Sequence, residues 1–123
     1  MTDHEREGGL LAWQWRGYSR YHRNPGNLLI HIVAVPMFIA GILAAVALAL
    51  QAQWFGALLA LAVAVVAFAL QGLGHNRERI APEPYSGVGD FVARVLAEQF
   101  ITFPRFVLMG QWARNLAEQD NRG

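Results

Sequence analysis

Two stretches of this chain carry almost no polar side chain. Between Pro25 and Gln53 the only ionisable residue is His31, and between Gln53 and Gly74 there is none. Each stretch holds about 20 predominantly apolar residues, enough as α-helix to cross the roughly 30 Å of bilayer hydrocarbon. The link "QAQW", residues 51–54, allows only a tight reversal. The pattern therefore predicts a helical hairpin with spans at 25–50 and 54–74. Asn24 followed by Pro25 reads as a cap and a first helical residue. Pro36 falls inside the first span, where a membrane helix tolerates it if the freed carbonyl finds a partner, and a kink is expected there. Gly41 and the alanines of "LAAVALAL" offer a smooth surface for close packing against the second span.

The flanks read differently. Residues 1–9, "MTDHEREGG", are polar and end in two glycines, so a frayed start is expected, with His4 as a surface histidine. In residues 10–23, Leu11, Trp15, Tyr18 and His22 share one helical face while arginines occupy others. Tryptophan and tyrosine beside arginine suit the membrane–water boundary, which predicts an interfacial helix. Residues 75–87 are rich in proline, glycine and charge and read as a loop. Over 88–117 amphipathic helix returns, broken near Pro104, with Phe91, Val92, Val95, Leu96 and Phe100 on the apolar side. Asp90, Arg94 and Glu98 follow i, i+4, i+8 spacing, for which mutual ion pairing on the polar side is the expectation. The fold class is all-α: one membrane domain, a two-span hairpin with flanking interfacial helices.

Composition narrows the function. The chain has 123 residues, 54% hydrophobic and 15% charged, too apolar for an ordinary small soluble domain. A water-soluble bundle with two buried helices is the alternative, but helices apolar all round are hard to cover in so small a protein. A net charge of +1 without a concentrated basic surface argues against nucleic acid as a partner. Arg16, Arg20 and Arg23 precede the first span, Arg77 and Arg79 follow the second, and the tip has no positive charge, so both termini are expected on the cytoplasmic side. The first apolar run begins well inside the chain and a second follows it, which speaks against a cleaved signal peptide. With no cysteine, any metal site must use histidine and carboxylate. Thin, alanine-rich spans pack more completely in a dimer, and a homodimer is expected on that ground.

Depth along the hairpin brings the histidines together. His31 lies about 21 residues before Ala52 and His75 about 23 after it, so both sit roughly 30 Å from the tip at nearly the same level. His22 ends the preceding helix a short turn before the first span. His22, His31 and His75 can therefore converge at the membrane edge, where buried ionisable groups are functional candidates. Asn27, at i−4 from His31, shares its face and is placed to orient a ligand. Glu78, three residues beyond His75, is either a fourth ligand, a carboxylate holding a ligand imidazole, or a surface partner of Arg79 or Arg105. Gly72 and Gly74 allow close approach beside His75, although Gly74 would also serve simply to end the helix.

"YHRNPGNLLIHIVAVP" resembles the His-x-Asn-Pro-x-Asn, His, Val/Thr-Pro pattern of a family of small membrane proteins, typified by the endoplasmic-reticulum 2-hydroxy fatty acid dioxygenase of phytosphingosine breakdown. "QGLGHNRERIAP" is similar to that family's second motif, Gly-His, then Glu, then Pro, and the two motifs with the hairpin cover residues 18–82. The segment "EQFITFPRFVLMG" is similar to one carried by a bacterial branch. His22, His31 and His75 match the family's histidines, and Asn24, Asn27 and Pro36 match as motif residues. Glu78 departs: the family's glutamate usually follows the histidine at four positions, here at three, a turn of about 100° on a helix.

The resemblance implies an Fe(II)-dependent oxygenase in a bacterial inner membrane that shortens long-chain 2-hydroxy fatty acids by one carbon with O2. His22, His31 and His75 would hold the metal, with Asn24, Asn27 and Glu78 around it, and three protein ligands on a six-coordinate ion leave two positions for the hydroxy acid and one for O2. Membrane lipids surround the acyl chain, and Arg79 or Arg105 is placed to pair with the carboxylate. Two other readings remain open: a noncatalytic assembly or lipid-binding protein with structural histidines, and a three-histidine zinc hydrolase, which would work without oxygen. Two spans enclose no pathway, so transport would require several copies.

Overall fold

The computed structural model describes residues 6–122, and His4 lies outside them. The described residues contain helices and no strand. Helix α1 runs Gly9–Tyr18 and continues as a 3-10 turn, Ser19–Tyr21. The backbone leaves helical geometry at His22 (φ −133°, ψ 64°) and re-enters helix as α2, Pro25–Leu50. Asn24 caps α2 as its sequence suggests: its side chain accepts from the Asn27 N–H at 3.1 Å, and Pro25, with no N–H to satisfy, takes the first position. Helix α3 is Trp54–His75. At about 1.5 Å per residue α2 and α3 are roughly 39 and 33 Å long, and both are apolar enough to cross a bilayer. Helix α2 remains one element through Pro36.

The hairpin closes in three residues. Gln53 N–H donates to Leu48 O at 2.8 Å and Ala52 N–H to Ala49 O at 3.0 Å, with Ala52 in the left-handed region at φ 56°. That is the hydrogen-bond pattern with which many helices end, carried here by alanine in the place glycine usually takes. Close packing of α2 on α3 follows the small residues. A Cβ on Gly41 would stand 2.9 Å from both Ala60 O and Ala64 N, so the backbones approach too closely there for any side chain. Towards the tip the apolar side chains are bare: Leu50 is 84% exposed and Phe55 78%. A soluble core would bury them, whereas a lipid-facing surface would not.

The other half of the hairpin is covered along one side, with Val33 and Leu73 still exposed on the other. Helix α4 (Val88–Ala97) leads into a π turn (Glu98–Thr102), α5 (Phe103–Leu108) and α6 (Gln111–Arg122). Val95 packs with Ala34, Phe38, Ala64 and Ala67, while Phe103 and Phe106 pack with Tyr18, Leu28 and Val35. The interruption near Pro104 takes the form of the π turn just before it, and the helix ends at Met109–Gly110, with Gly110 at φ 80°, before α6 begins. Proline at 104 cannot donate to the Phe100 carbonyl, and the widened turn before it lets the helix pass through.

The polar row on α4 holds only in part. Asp90 and Arg94 lie 3.4 Å apart, but Glu98 turns inward. Eight residues at about 100° each leave Glu98 roughly 80° off the Asp90 direction, enough to aim it at α1. Arg6, in the segment expected to fray, is buried with its guanidinium 2.6 Å from Asp90.

Candidate metal centre

Four elements deliver one side chain each to a single point. His22 comes from the break between the 3-10 turn and α2, His31 from the second turn of α2, His75 from the last residue of α3, and Glu98 from the first residue of the π turn. One ligand atom from each lies within 4.8 Å of the others. The three imidazoles stand nearly perpendicular to one another, at 80° to 87°, with ring centroids 4.7 to 4.9 Å apart. Donors about 2.1 Å from one ion are separated by roughly 3 to 4 Å, so the group needs little adjustment to close on a metal.

Hydrogen bonds fix how two of the rings face. His22 Nδ1 lies 2.8 Å from Tyr18 O and His31 Nδ1 lies 3.0 Å from Asn27 O. A carbonyl only accepts, so both Nδ1 atoms carry the proton and both Nε2 atoms keep a lone pair. Those Nε2 atoms, with His75 Nδ1, are buried without a hydrogen-bond partner among the described residues. His22 Nε2 also faces Glu98 Oε2 at 3.4 Å. Two lone pairs opposed in a buried site repel unless a cation lies between them. A second proton on His22 would satisfy Glu98 alone and leave the other two histidines unpaired, whereas one divalent ion satisfies all four. The donor set thus fits a divalent metal, and imidazole with carboxylate is common to iron and zinc.

Around this point the supports interlock. Tyr18 lies over His22 with ring centroids 3.8 Å apart and planes 16° apart, and its hydroxyl donates to Glu98 Oε2 at 2.7 Å. Asn115 of α6 donates to His22 O at 2.8 Å and to Ser19 O at 3.1 Å, tying down the carbonyls freed where the 3-10 turn ends. Asn27 acts on His31 through its main-chain carbonyl, while its side-chain amide donates to Glu78 Oε2 at 2.6 Å.

Glu78 stands apart from the four donors. Its carboxylate accepts the N–H groups of Arg23 and Asn24 at 3.0 to 3.1 Å, joining the end of α3 to the entry of α2. Asn24 likewise serves as the α2 cap. Arg79 lines a cavity of about 580 Å³ that also touches Tyr18, His22, Phe68, His75 and Glu98. Arg105 is exposed and stacks on Trp15 at 4.0 Å, and it is not among the residues lining this cavity.

Sequence reasoning did not single out Glu98 or Tyr18 for the site. A signal existed: Val95, Gln99, Thr102 and Phe106 are all buried at i, i+4, i+7, i+11 spacing, and Glu98 borders that stripe. A carboxylate beside a buried stripe requires a partner, and the histidines were the available ones.

Residues 10–112 match the family model described as 2-hydroxy-palmitic acid dioxygenase Mpo1-like. No curated protein and no solved structure matches the chain.

Proposed function

The chain belongs to the Mpo1-like family, and from that we propose that it is an Fe(II)-dependent dioxygenase which removes one carbon from long-chain 2-hydroxy fatty acids. The observation that carries the reading is the set of three mutually perpendicular imidazoles whose inward nitrogens have no hydrogen-bond partner among the described residues. Bound iron would supply the stepwise electron transfer to O2 that amino-acid side chains cannot.

The stoichiometry closes without a co-substrate: R–CH(OH)–COOH plus O2 gives R–COOH, CO2 and H2O. The hydroxy acid supplies all four electrons that O2 accepts. His22, His31 and His75 hold the metal, and the carbonyls of Tyr18 and Asn27 keep His22 and His31 in the tautomer that presents Nε2. Arg79, at the cavity wall, pairs with the substrate carboxylate, while the apolar flank at Phe68 receives the start of the acyl chain. Phe103 and Phe106, buried beside the histidines, keep water from the inner side. The hairpin holds the protein in the membrane with both termini cytoplasmic, so substrate arrives from the lipid.

The test is oxygen uptake by detergent-purified protein loaded anaerobically with Fe(II), on adding a long-chain 2-hydroxy fatty acid, with products identified by mass. Uptake yielding the acid one carbon shorter, and lost in His31→Ala, is the expected result. Folded, iron-loaded protein that takes up no oxygen would overturn it. Conversion of an ester or amide under anaerobic conditions by zinc-loaded protein would replace it with a hydrolase.

A further inference from the structure

Glu98 is a half-buried carboxylate whose hydrogen-bond and ion-pair partners among the described residues include no arginine. Its side chain is 15% exposed, and its close partners are the Tyr18 hydroxyl at 2.7 Å and His22 Nε2 at 3.4 Å. Arg94, the arginine nearest along its own helix, is committed elsewhere: to Asp90, to the carbonyls of Glu83 and Pro84, and to the faces of Trp13 and Tyr85. An ionised carboxylate removed from water needs a positive partner. The three histidines turn nitrogens without a hydrogen-bond partner among the described residues towards the same point, and one ligand atom from each lies within 4.8 Å of the others and of the Glu98 carboxylate.

We propose that Glu98 is a fourth donor to the metal, beside the three histidines, and that Tyr18 is the positioning residue that holds it there. The inference rests on the metal-centre reading above. Three neutral imidazoles leave a divalent ion with its full charge in a buried site, and one carboxylate halves it. Tyr18 is built to serve both neighbours at once. Its main-chain carbonyl orients His22, its ring packs flat on the His22 ring, and its hydroxyl fixes the Glu98 carboxylate. Neither residue belongs to a histidine motif. Four protein donors also change the count: a six-coordinate ion then keeps two open positions rather than three.

The experiment is titration of the purified full chain with Co(II), reading the dissociation constant and the visible absorption of the bound ion. Glu98→Gln is expected to weaken binding tenfold or more and to alter the absorption envelope. Tyr18→Phe keeps the stacked ring and is expected to weaken binding about tenfold, the scale of losses when a ligand's hydrogen-bond partner is removed. In the Glu98→Gln background, Tyr18→Phe should add nothing. If the wild-type chain binds no Co(II), the metal-centre reading itself fails. If it binds and His31→Ala does not, but Glu98→Gln keeps the wild-type affinity and spectrum, the fourth donor is overturned and the histidine site stands. Additive losses in the double variant would overturn the role of Tyr18. Should Glu98→Gln not fold, Glu98→Asp, with the charge retained but drawn back, must still weaken binding and change the spectrum, and an unchanged result refutes the proposal.

Discussion

Gln71 of α3 and Gln99 of the π turn exchange two amide hydrogen bonds, at 2.8 and 2.7 Å, with both side chains buried. This closed pair is one polar tie between the hairpin and the C-terminal helices, beside the Trp112 indole N–H donated to Leu28 O at 2.9 Å, and Gln99 is the residue next to Glu98. Replacing either glutamine by leucine leaves the other amide buried without either of these hydrogen bonds, at a cost of about 1–3 kcal/mol. Replacing both removes the orphan. Thermal unfolding in detergent should therefore show each single variant below the wild type and the Gln71→Leu, Gln99→Leu double well above the sum of the two losses. Strict additivity would mean that the two amides do not act as a pair.

Gly74 and Gly72 make a matched contrast. A Cβ on Gly74 would run into the Asn27 side chain, which carries Glu78, whereas a Cβ on Gly72 meets nothing within 4 Å. Gly74→Ala is expected to push α3 away from α2 at the histidines and to lower metal stoichiometry. Gly72→Ala should leave it unchanged. Metal analysis of the two purified proteins, side by side, decides the matter.

Ala52 gives a test far from the site. Held at φ 56°, an alanine carries a strain of about 1 kcal/mol that glycine does not. Ala52→Gly is expected to raise the unfolding midpoint modestly with oxygen uptake unaltered. A lowered midpoint would show that the flexibility gained by the unfolded chain outweighs the relief.

The pH dependence has a definite sign. Burial pushes the Asp90 carboxyl up, but the Ser86 N–H and the Arg6 and Arg94 guanidinium groups bring it down to about 2. A carboxyl whose folded value lies below its unfolded value of about 3.9 stabilises the protein above that value and ceases to do so as pH falls towards 2. Unfolding measured from pH 6 down to pH 2 should show stability draining away below pH 4. In Asp90→Asn that loss should be shallower. An identical slope in the variant would remove Asp90 from the account.

Much of this arrangement was legible in the sequence because it is set by length and phase. The bounds of the first span fall where uncharged sequence begins and ends, and the Asn24–Pro25 cap follows from local chemistry. His31 and His75 meet because nearly equal counts from the tip, about 21 and about 23 residues, place them at nearly the same depth. What was not legible depends on how short amphipathic pieces dock. Glu98 looked like a member of a surface row, and only its rotation towards α1 brings it to the histidines. Arg6 looked like part of a loose start until Asp90 was seen beside it. Glu78 was near enough to His75 in sequence to look like a ligand, yet at the end of α3 its carboxylate finds the free N–H groups of Arg23 and Asn24 first.

The widened turn at Glu98–Thr102 has a genetic consequence. A π turn is a helix accommodating one residue too many, so deleting a single residue there would restore ordinary α-helical phase. Everything beyond the deletion would then swing by about 100° relative to everything before it. Glu98 would keep its place against the histidines only if Phe103 and Phe106 lost theirs beneath them. A single-residue deletion in this segment would uncouple the carboxylate from the aromatic floor of the site.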